Sequence, residues 1–403
     1  MYIKYGDNLD KNNLSIDNSI YDLYNFIKYN GWDGYDPYDG LNSKLLSPIS
    51  LGNKWVKLFL ISFNKISPIN FRRFECIKKG TDIKGMGLFA NAFLKFYEFS
   101  GDATILNNSQ NCLDFLLSKS LKNEYFEHCW AGHYFEFQSI NSNLKPTVPD
   151  IISTVTCASA FLQDFKTTGS NRSLDVVKSA IEFMIDDLYV EDGDKYFFKY
   201  TPKSEQNTIV YNASTCGVRL LSQVARYINC SNYLKVSENV MDYIVSKQKP
   251  DGSWYYSETN SNERKQIDFH QGFILNSLYD FIKILNTNDD TYMGAIKRGI
   301  DFYKNEQFTQ NGICKYRWPR VYPIDIHNQA QGIITFSKMA EMNPEYLNFA
   351  QTIAKWTINN MQDEGGYFYY QKWPFFINKI PYMRWSQAWM MMALVSLIEA
   401  LDR

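Results

Sequence analysis

A segment of about 57 residues returns along most of this chain. QIDFHQGF (266–273) is echoed by PIDIHNQAQG (323–332), so Ile-Asp-x-His occurs twice, with Asp325 lying 57 residues after Asp268. A second step of 57 reaches Tyr382 in PYMRWSQAWM, where Arg384 takes the register position of His270 and His327. Stepping backward reaches Tyr211 in VYNASTCGVRLL and Thr154 in IISTVTCASAFL, and a longer step of about 67 reaches KGMGLFANAFLKFYEFSGD. Six related segments, five of them at one spacing, specify a repeat architecture before any other property of the chain.

Each segment has the spacing of a buried helix. In HQGFILNSLYDFIKIL the residues Phe273, Ile274, Ser277, Leu278, Phe281 and Ile282 recur at intervals of three and four. More charged helices alternate with these, such as NRSLDVVKSAIEFMIDDLY and NYLKVSENVMDYIVSKQ, and Asp, Ser, Thr or Asn precedes several as a cap. After each outer helix a Gly turn leads into an aromatic stretch that favours a short strand: VEDGDKYFFKY, KPDGSWYYSE, TQNGICKYRW and DEGGYFYYQKW. Six such hairpins close most economically into an all-α (α/α)6 toroid with short aromatic β-hairpin loops at one end. An open superhelix is the alternative.

The repeat runs without a linker, which predicts a single toroid over residues 51–403. Residues 1–50 are expected to add an N-terminal helix and an Asp/aromatic strap packed on it, and LGNKWVKLFLISF the outer partner of the first inner helix. A net charge of −1 with no basic stripe argues against nucleic acid as a partner. No apolar run is long enough to span a bilayer, and MYIKYGDNLDKNN lacks the apolar core of a signal peptide, which points to the cytoplasm. Seven cysteines without paired spacing accord with reduced thiols.

Inner-helix N-termini of a toroid converge on one mouth. This predicts that His270, His327 and Arg384 meet at one cavity, with Asp268 and Asp325 two residues before the histidines. The remaining histidines, His128 and His133, also fall at a transition from loop to inner helix. Trp130, Trp254, Trp318, Tyr322, Tyr382 and Trp385 lie in the same segments, and aromatic platforms beside charged groups suit sugar rings. Arg317, Arg320 and Arg384 offer guanidinium forks to a carboxylate or phosphate on that sugar. The structural alternative is that Asp268 and Asp325 only cap helices and the aromatics only fill the core. WDGYDPYDGLNSKLL (32–46) is an ordered turn segment, either a strap or a wall of the cleft with Asp36 or Asp39 as acid/base groups.

The six-hairpin pattern, the Gly-aromatic turns and the closing YMRWSQAWMMMAL helix resemble the catalytic (α/α)6 domain of D-glucuronyl C5-epimerases over about residues 80–403. They are more distantly similar to N-acylglucosamine 2-epimerases, unsaturated glucuronyl hydrolases and toroidal polysaccharide lyases. The resemblance implies that Tyr382, Arg384, His270 and His327 sit where such enzymes keep acid/base and carboxylate-binding groups. N-acylglucosamine 2-epimerases place a Glu one turn after a catalytic His, whereas this chain has Phe273 and Ile274 there. KPDGSW is similar to the Gln-Trp motif of terpenoid cyclases. Asp268, Cys314 and His327 are the residue types of a prenyltransferase zinc site but lack compact ligand spacing, so no metal or cofactor is expected.

A carbohydrate-active enzyme acting on an acidic sugar or polysaccharide is the function these residues predict. Epimerisation at C5 or β-elimination needs a base, an acid and a group that neutralises the carboxylate, and His270, His327, Tyr382 and Arg384 supply those types. His133, Trp130, Trp254, Trp318, Tyr322 and Trp385, with Arg317, Arg320, Asp36 and Asp39, are the expected substrate contacts. A glycoside hydrolase using Asp268 and Asp325 is one alternative. A non-catalytic glycan-binding toroid is the other.

Overall fold

Aspartate caps the start of three inner helices, and glycine ends two of them. Asp82, Asp150 and Asp325 accept the backbone amides of Gly85 (3.0 Å), Ser153 (2.8 Å) and His327 (3.0 Å), opening α3 (Ile83–Ser100), α6 (Ile151–Thr168) and α12 (Ile326–Met339). Past α3 and α6 the chain turns through Gly101 at φ +65° and Gly169 at φ +77°, the left-handed conformation that favours glycine. This is why Ser/Gly punctuation recurred in the sequence. The computed structural model describes residues 11–140, 143–202, 208–228, 231–286 and 289–403.

Six inner helices form a closed ring. In chain order they are α3, α6, α8 (Tyr211–Val224), α10 (His270–Leu285), α12 and α14 (Trp389–Leu401); each packs on the next, and α14 returns to α3. Outside them lie α4 (Ala103–Ser118), α7 (Asn171–Phe183), α9 (Ser231–Ser246), α11 (Asp290–Phe302) and α13 (Glu345–Met361), each against the inner helix of its own hairpin. The sixth outer place belongs to α1 (Lys11–Asn30), which packs on α14 and α13. The N-terminal helix is thus a member of the ring rather than an addition to it. By contrast α2 (Lys54–Ile66), expected as an outer partner, packs on the strap's 3-10 turn Asp39–Asn42 and lies outside both layers. Its Leu60 and Ile61 pack on Leu41 of the strap in a cluster that Phe137 also joins, apart from the core between the two layers.

The apolar core fills the space between the two layers. Small residues set the spacing within the ring: a Cβ on Gly87 of α3 would meet the Cys157 backbone of α6 at 3.3 Å. The loops between outer and inner helices gather at the end where the inner helices begin. They carry α5 (Lys122–Tyr125) and small antiparallel sheets: β1–β2 (Phe137–Gln138, Asn143–Leu144), β3–β4 (Tyr189–Asp192, Lys195–Phe198), β5–β6–β7 (Ile209–Val210, Ser257–Glu258, Glu263–Arg264) and β8–β9–β10 (Ile324–Asp325, Gln371–Lys372, Ile377–Asn378). A glutamine in the first turn of each of the last three repeats clamps the aromatic turn before it. Gln271 bonds the backbone of Trp254, Gln329 that of Cys314 and Gly312, and Gln387 that of Phe368, at 2.6 to 3.0 Å. Such paired bonds fix the loops on the ring and hold the mouth open to one shape.

Candidate active site

Three inner helices, and the π-helical turn Met383–Ala388 that leads into α14, carry a basic residue at equivalent positions near their starts. Lys84 follows Asp82 by two residues, His270 follows Asp268, His327 follows Asp325, and Arg384 follows Tyr382. They converge closely enough that the charges of Lys84, His270 and Arg384 all act on His327. A helix start places such a residue on the first turn, facing along the axis of the ring. Lys84 and Asp82 escaped the sequence reading because it followed the histidine, whereas Asp-Ile or Asp-Phe at 82, 150, 268 and 325 is the more regular mark.

Two of these sites are aspartate–imidazole pairs. His270 Nδ1 lies 2.5 Å from Asp268 Oδ1, which also accepts the His270 backbone amide at 3.1 Å. Burial opposes the charge on Asp268, but the His270 imidazole and these hydrogen bonds outweigh it and hold the carboxyl below its usual range. His133 Nδ1 lies 3.1 Å from Asp82 Oδ2, and its ring stacks on Phe135. Burial again opposes ionisation, and the contacts with His133 and Arg384 lower the Asp82 carboxyl. A carboxylate on Nδ1 fixes the tautomer and leaves Nε2 as the working nitrogen. Both imidazoles are partly exposed. Helices α3 and α10 stand three places apart in a ring of six, so the two pairs approach from opposite walls.

His327 is different from its twin. Its ring is 3 % exposed, packs on Trp389 (4.3 Å), Phe269 (4.4 Å) and Trp385 (4.8 Å), and finds no hydrogen-bond partner among the described residues. Burial drives its pKa far below the ordinary value, so it is neutral. Asp325 does not reach that ring: it accepts from Gln371 Nε2 (2.7 Å) and Trp385 Nε1 (2.9 Å), and burial raises its pKa. Asp268 and Asp325, the alternative hydrolytic pair, each accept a backbone amide at a helix start and a side-chain amide from a neighbour.

Lys84 extends from the first turn of α3, with its amine 5.8 Å from the Trp389 ring. Burial and the Arg384 charge lower its amine to about 8, against the pull of Asp150 and Asp82. Arg384 is buried, with Nε and Nη2 each 2.7 Å from Asp36 Oδ2 and Nε 3.6 Å from Asp82 Oδ2. Its guanidinium is already neutralised, which removes the expected open carboxylate fork. Asp36 and Asp39 belong to the strap's anchorage rather than to a free acid/base group. Asp39 Oδ1 binds Arg72 Nε at 2.7 Å in full burial, which pushes the Asp39 carboxyl up to about 6 despite that partner. Arg72 in turn covers the ring of Tyr382, which is fully buried.

The aromatic residues divide in the same way. Trp385 is partly exposed at the mouth beside Tyr38 (5.4 Å), and Tyr256 meets His270 edge-on at 4.9 Å. Trp130 and Trp254, expected as sugar platforms, are fully buried and donate their indole N–H to Leu116 and Ile244 of the outer layer at 2.8 Å. They bind the loops to the outer helices and offer no face to a ligand. Arg317, Trp318, Arg320 and Tyr322 form an exposed loop on the rim, with Trp318 packed on Phe302. His128 is turned outward, bonded to Ser120 and, through its amide, to Ser179 of α7.

No family model matches the chain, and no curated protein matches it. Solved structures do. Cellobiose 2-epimerase from Bacillus thermoamylovorans superposes with a TM-score of 0.66 at 15% identity, over 80% of this chain and 88% of that one. A GH76 α-mannanase of Bacteroides thetaiotaomicron gives 0.64 at 13% identity, over 80% and 88%. The fold is theirs. The Lin0763 protein from Listeria innocua extends the match to 96% of this chain and 97% of its own, at a TM-score of 0.63 and 14% identity. At these identities the toroid is shared, and what each protein does remains its own.

Proposed function

We propose that the protein is a carbohydrate-active enzyme, an epimerase or isomerase that moves a proton at a sugar carbon next to a carbonyl or carboxylate. The observation that carries this reading is the pair of aspartate-backed imidazoles, His270 with Asp268 and His133 with Asp82, on opposite walls of one mouth. Inversion at carbon needs a base on one face and an acid on the other, and this arrangement supplies both. Sugar as the substrate class rests on the aromatic lining and on analogy of fold with the epimerase and mannanase above.

In the reaction, neutral His270 removes the proton through Nε2 while Asp268 holds its Nδ1 proton. The electron pair moves onto the carbonyl or carboxylate oxygen, and the Lys84 ammonium neutralises the charge that develops there. Protonated His133 returns a proton to the opposite face, and the configuration inverts. A uronate remains within this chemistry, with Lys84 rather than Arg384 meeting its carboxylate. Elimination from the same intermediate would make the protein a lyase.

Incubation with reducing disaccharides and with uronate oligosaccharides in deuterated water, followed by mass spectrometry, tests the reading. Deuterium gained without cleavage supports an epimerase or isomerase, and cleavage to an unsaturated uronate supports the lyase form. Sugar binding with neither change would overturn the acid/base roles.

A further inference from the structure

Helix α2 lies over the strap with its polar requirements met and its apolar face turned outward. Leu60 and Ile61 pack inward on Leu41, and Lys65 enters the mouth, where Tyr38, Tyr316 and Asp325 keep its amine charged in spite of burial. The outward stripe is Trp55, Phe59, Phe63 and Ile66, at the four- and three-residue steps of one helix face. Trp55 is 70 % and Phe59 66 % exposed. Leu51 before the helix and Phe74 after it are more exposed still. Phe375, 97 % exposed, tips the β9–β10 hairpin, whose Asn378 donates to the Ser67 carbonyl just past the end of α2. Single exposed apolar residues are ordinary, but a continuous patch of them marks an interaction surface.

Charge selects the partner. From residue 40 to residue 80 the chain carries eight basic residues and one acidic residue, within a protein whose net charge is −1. That single acid, Glu75, is buried and bonded to Asn64. Lys44, Lys54, Arg73, Lys78 and Lys79 of this segment are exposed, and Lys54 and Arg73 adjoin the exposed Trp55 and Phe74 in the chain. A second copy of this surface would bring like charges together on closure of a symmetric pair. An anionic lipid bilayer meets both needs: the aromatic stripe enters the headgroup and acyl boundary, and the cations meet lipid phosphates. Among the described residues no helix is long and apolar enough to cross a membrane, so the contact is with its surface.

We propose that the α2 face docks the protein on an anionic lipid bilayer and turns the mouth toward the headgroups. The test is co-sedimentation of the full chain with vesicles of phosphatidylcholine and phosphatidylglycerol, against vesicles of phosphatidylcholine alone. Binding to the anionic vesicles, weakened by added salt, is expected. Trp55→Ser with Phe59→Ser lowers the partition coefficient by roughly tenfold or more, and Lys54→Glu with Arg73→Glu removes the preference for anionic lipid. All four side chains are exposed, so the unfolding midpoint stays in place and serves as the control for folding. Three results would overturn the proposal. They are no sedimentation with anionic vesicles, equal partition of the double Ser variant, and a concentration-dependent dimer in sedimentation velocity that the same variant abolishes, which would assign the face to a second copy.

Discussion

Arg384 Nε donates to Asp36 Oδ2 at 2.7 Å across 348 positions of the chain, and both groups are buried. The bond ties the strap to the first turn of the last repeat, beside the Asp39–Arg72 pair that anchors it on its other side. Asp36→Ala strands a buried guanidinium and is expected to cost about 3–5 kcal/mol in urea unfolding. Adding Arg384→Met to Asp36→Ala should recover most of that loss. A double variant as unstable as the single one would show that the pair contributes through something other than compensated charge.

Two opposed imidazoles predict an asymmetry between the epimers. His270→Ala should slow deuterium exchange from one epimer by about 10²–10⁴-fold while the other epimer still exchanges through His133. His133→Ala should reverse the preference. Equal loss from both epimers in either variant would mean that a single residue serves both faces.

Lys84 sets the alkaline limit. Its amine is lowered to about 8, so a rate that needs the ammonium falls as pH rises through that value, and Lys84→Arg should carry the limb to higher pH. Stability moves the other way. Between about 8 and 10.5 the unfolded chain holds a proton that the folded chain has released, so stability rises with pH there, and Lys84→Met should flatten that rise.

Asp82 and Asp268 govern the acid side. Both carboxyls are held below the model-peptide range when folded, so their contribution is complete above about 4 and is lost as pH falls through their folded values. Asp268→Asn removes the stability that the carboxylate adds above its folded value, so the acid unfolding midpoint should shift to higher pH, and turnover should fall because His270 loses the carboxylate that fixes its tautomer. An unshifted acid transition would locate the acid sensitivity elsewhere.

The tryptophans separate support from binding. Trp254→Ala should cost about 3–5 kcal/mol with sugar affinity unchanged, because the ring is wholly inside the core. Trp385→Ala should instead weaken KM, since that ring is partly open at the mouth beside Tyr38. Isothermal titration beside thermal unfolding distinguishes the two.

The ring was legible because its spacing is written in the chain: each repeat must return an apolar helix to the same axis. The position of His270 was legible for the same reason. His327 shares its motif, but whether an Asp bonds the ring or the backbone two residues on is decided by neighbours such as Gln371 and Trp385, which lie far away in sequence. Trp254 and Trp385 illustrate the same limit. Both sit in aromatic stretches, and only the packing of the outer layer determines that one ring is sealed and the other open. The commitment of Arg384 to Asp36 was hidden because the strap lies outside the repeat, where no register assigns it a place.

Helix α1 occupies the last outer position beside α14, and α14 returns to α3, so the first and last of the described helices close the circle together. A growing chain leaving the ribosome can stack its hairpins in order, but it can neither seal the ring nor pin the strap until Arg384 and the final helix have emerged. The mouth is therefore the last feature to form, long-range contacts of this kind being slow to make. A message cut short within the last repeat would yield an open solenoid with an apolar seam and no assembled site, a product fit for a chaperone or a protease.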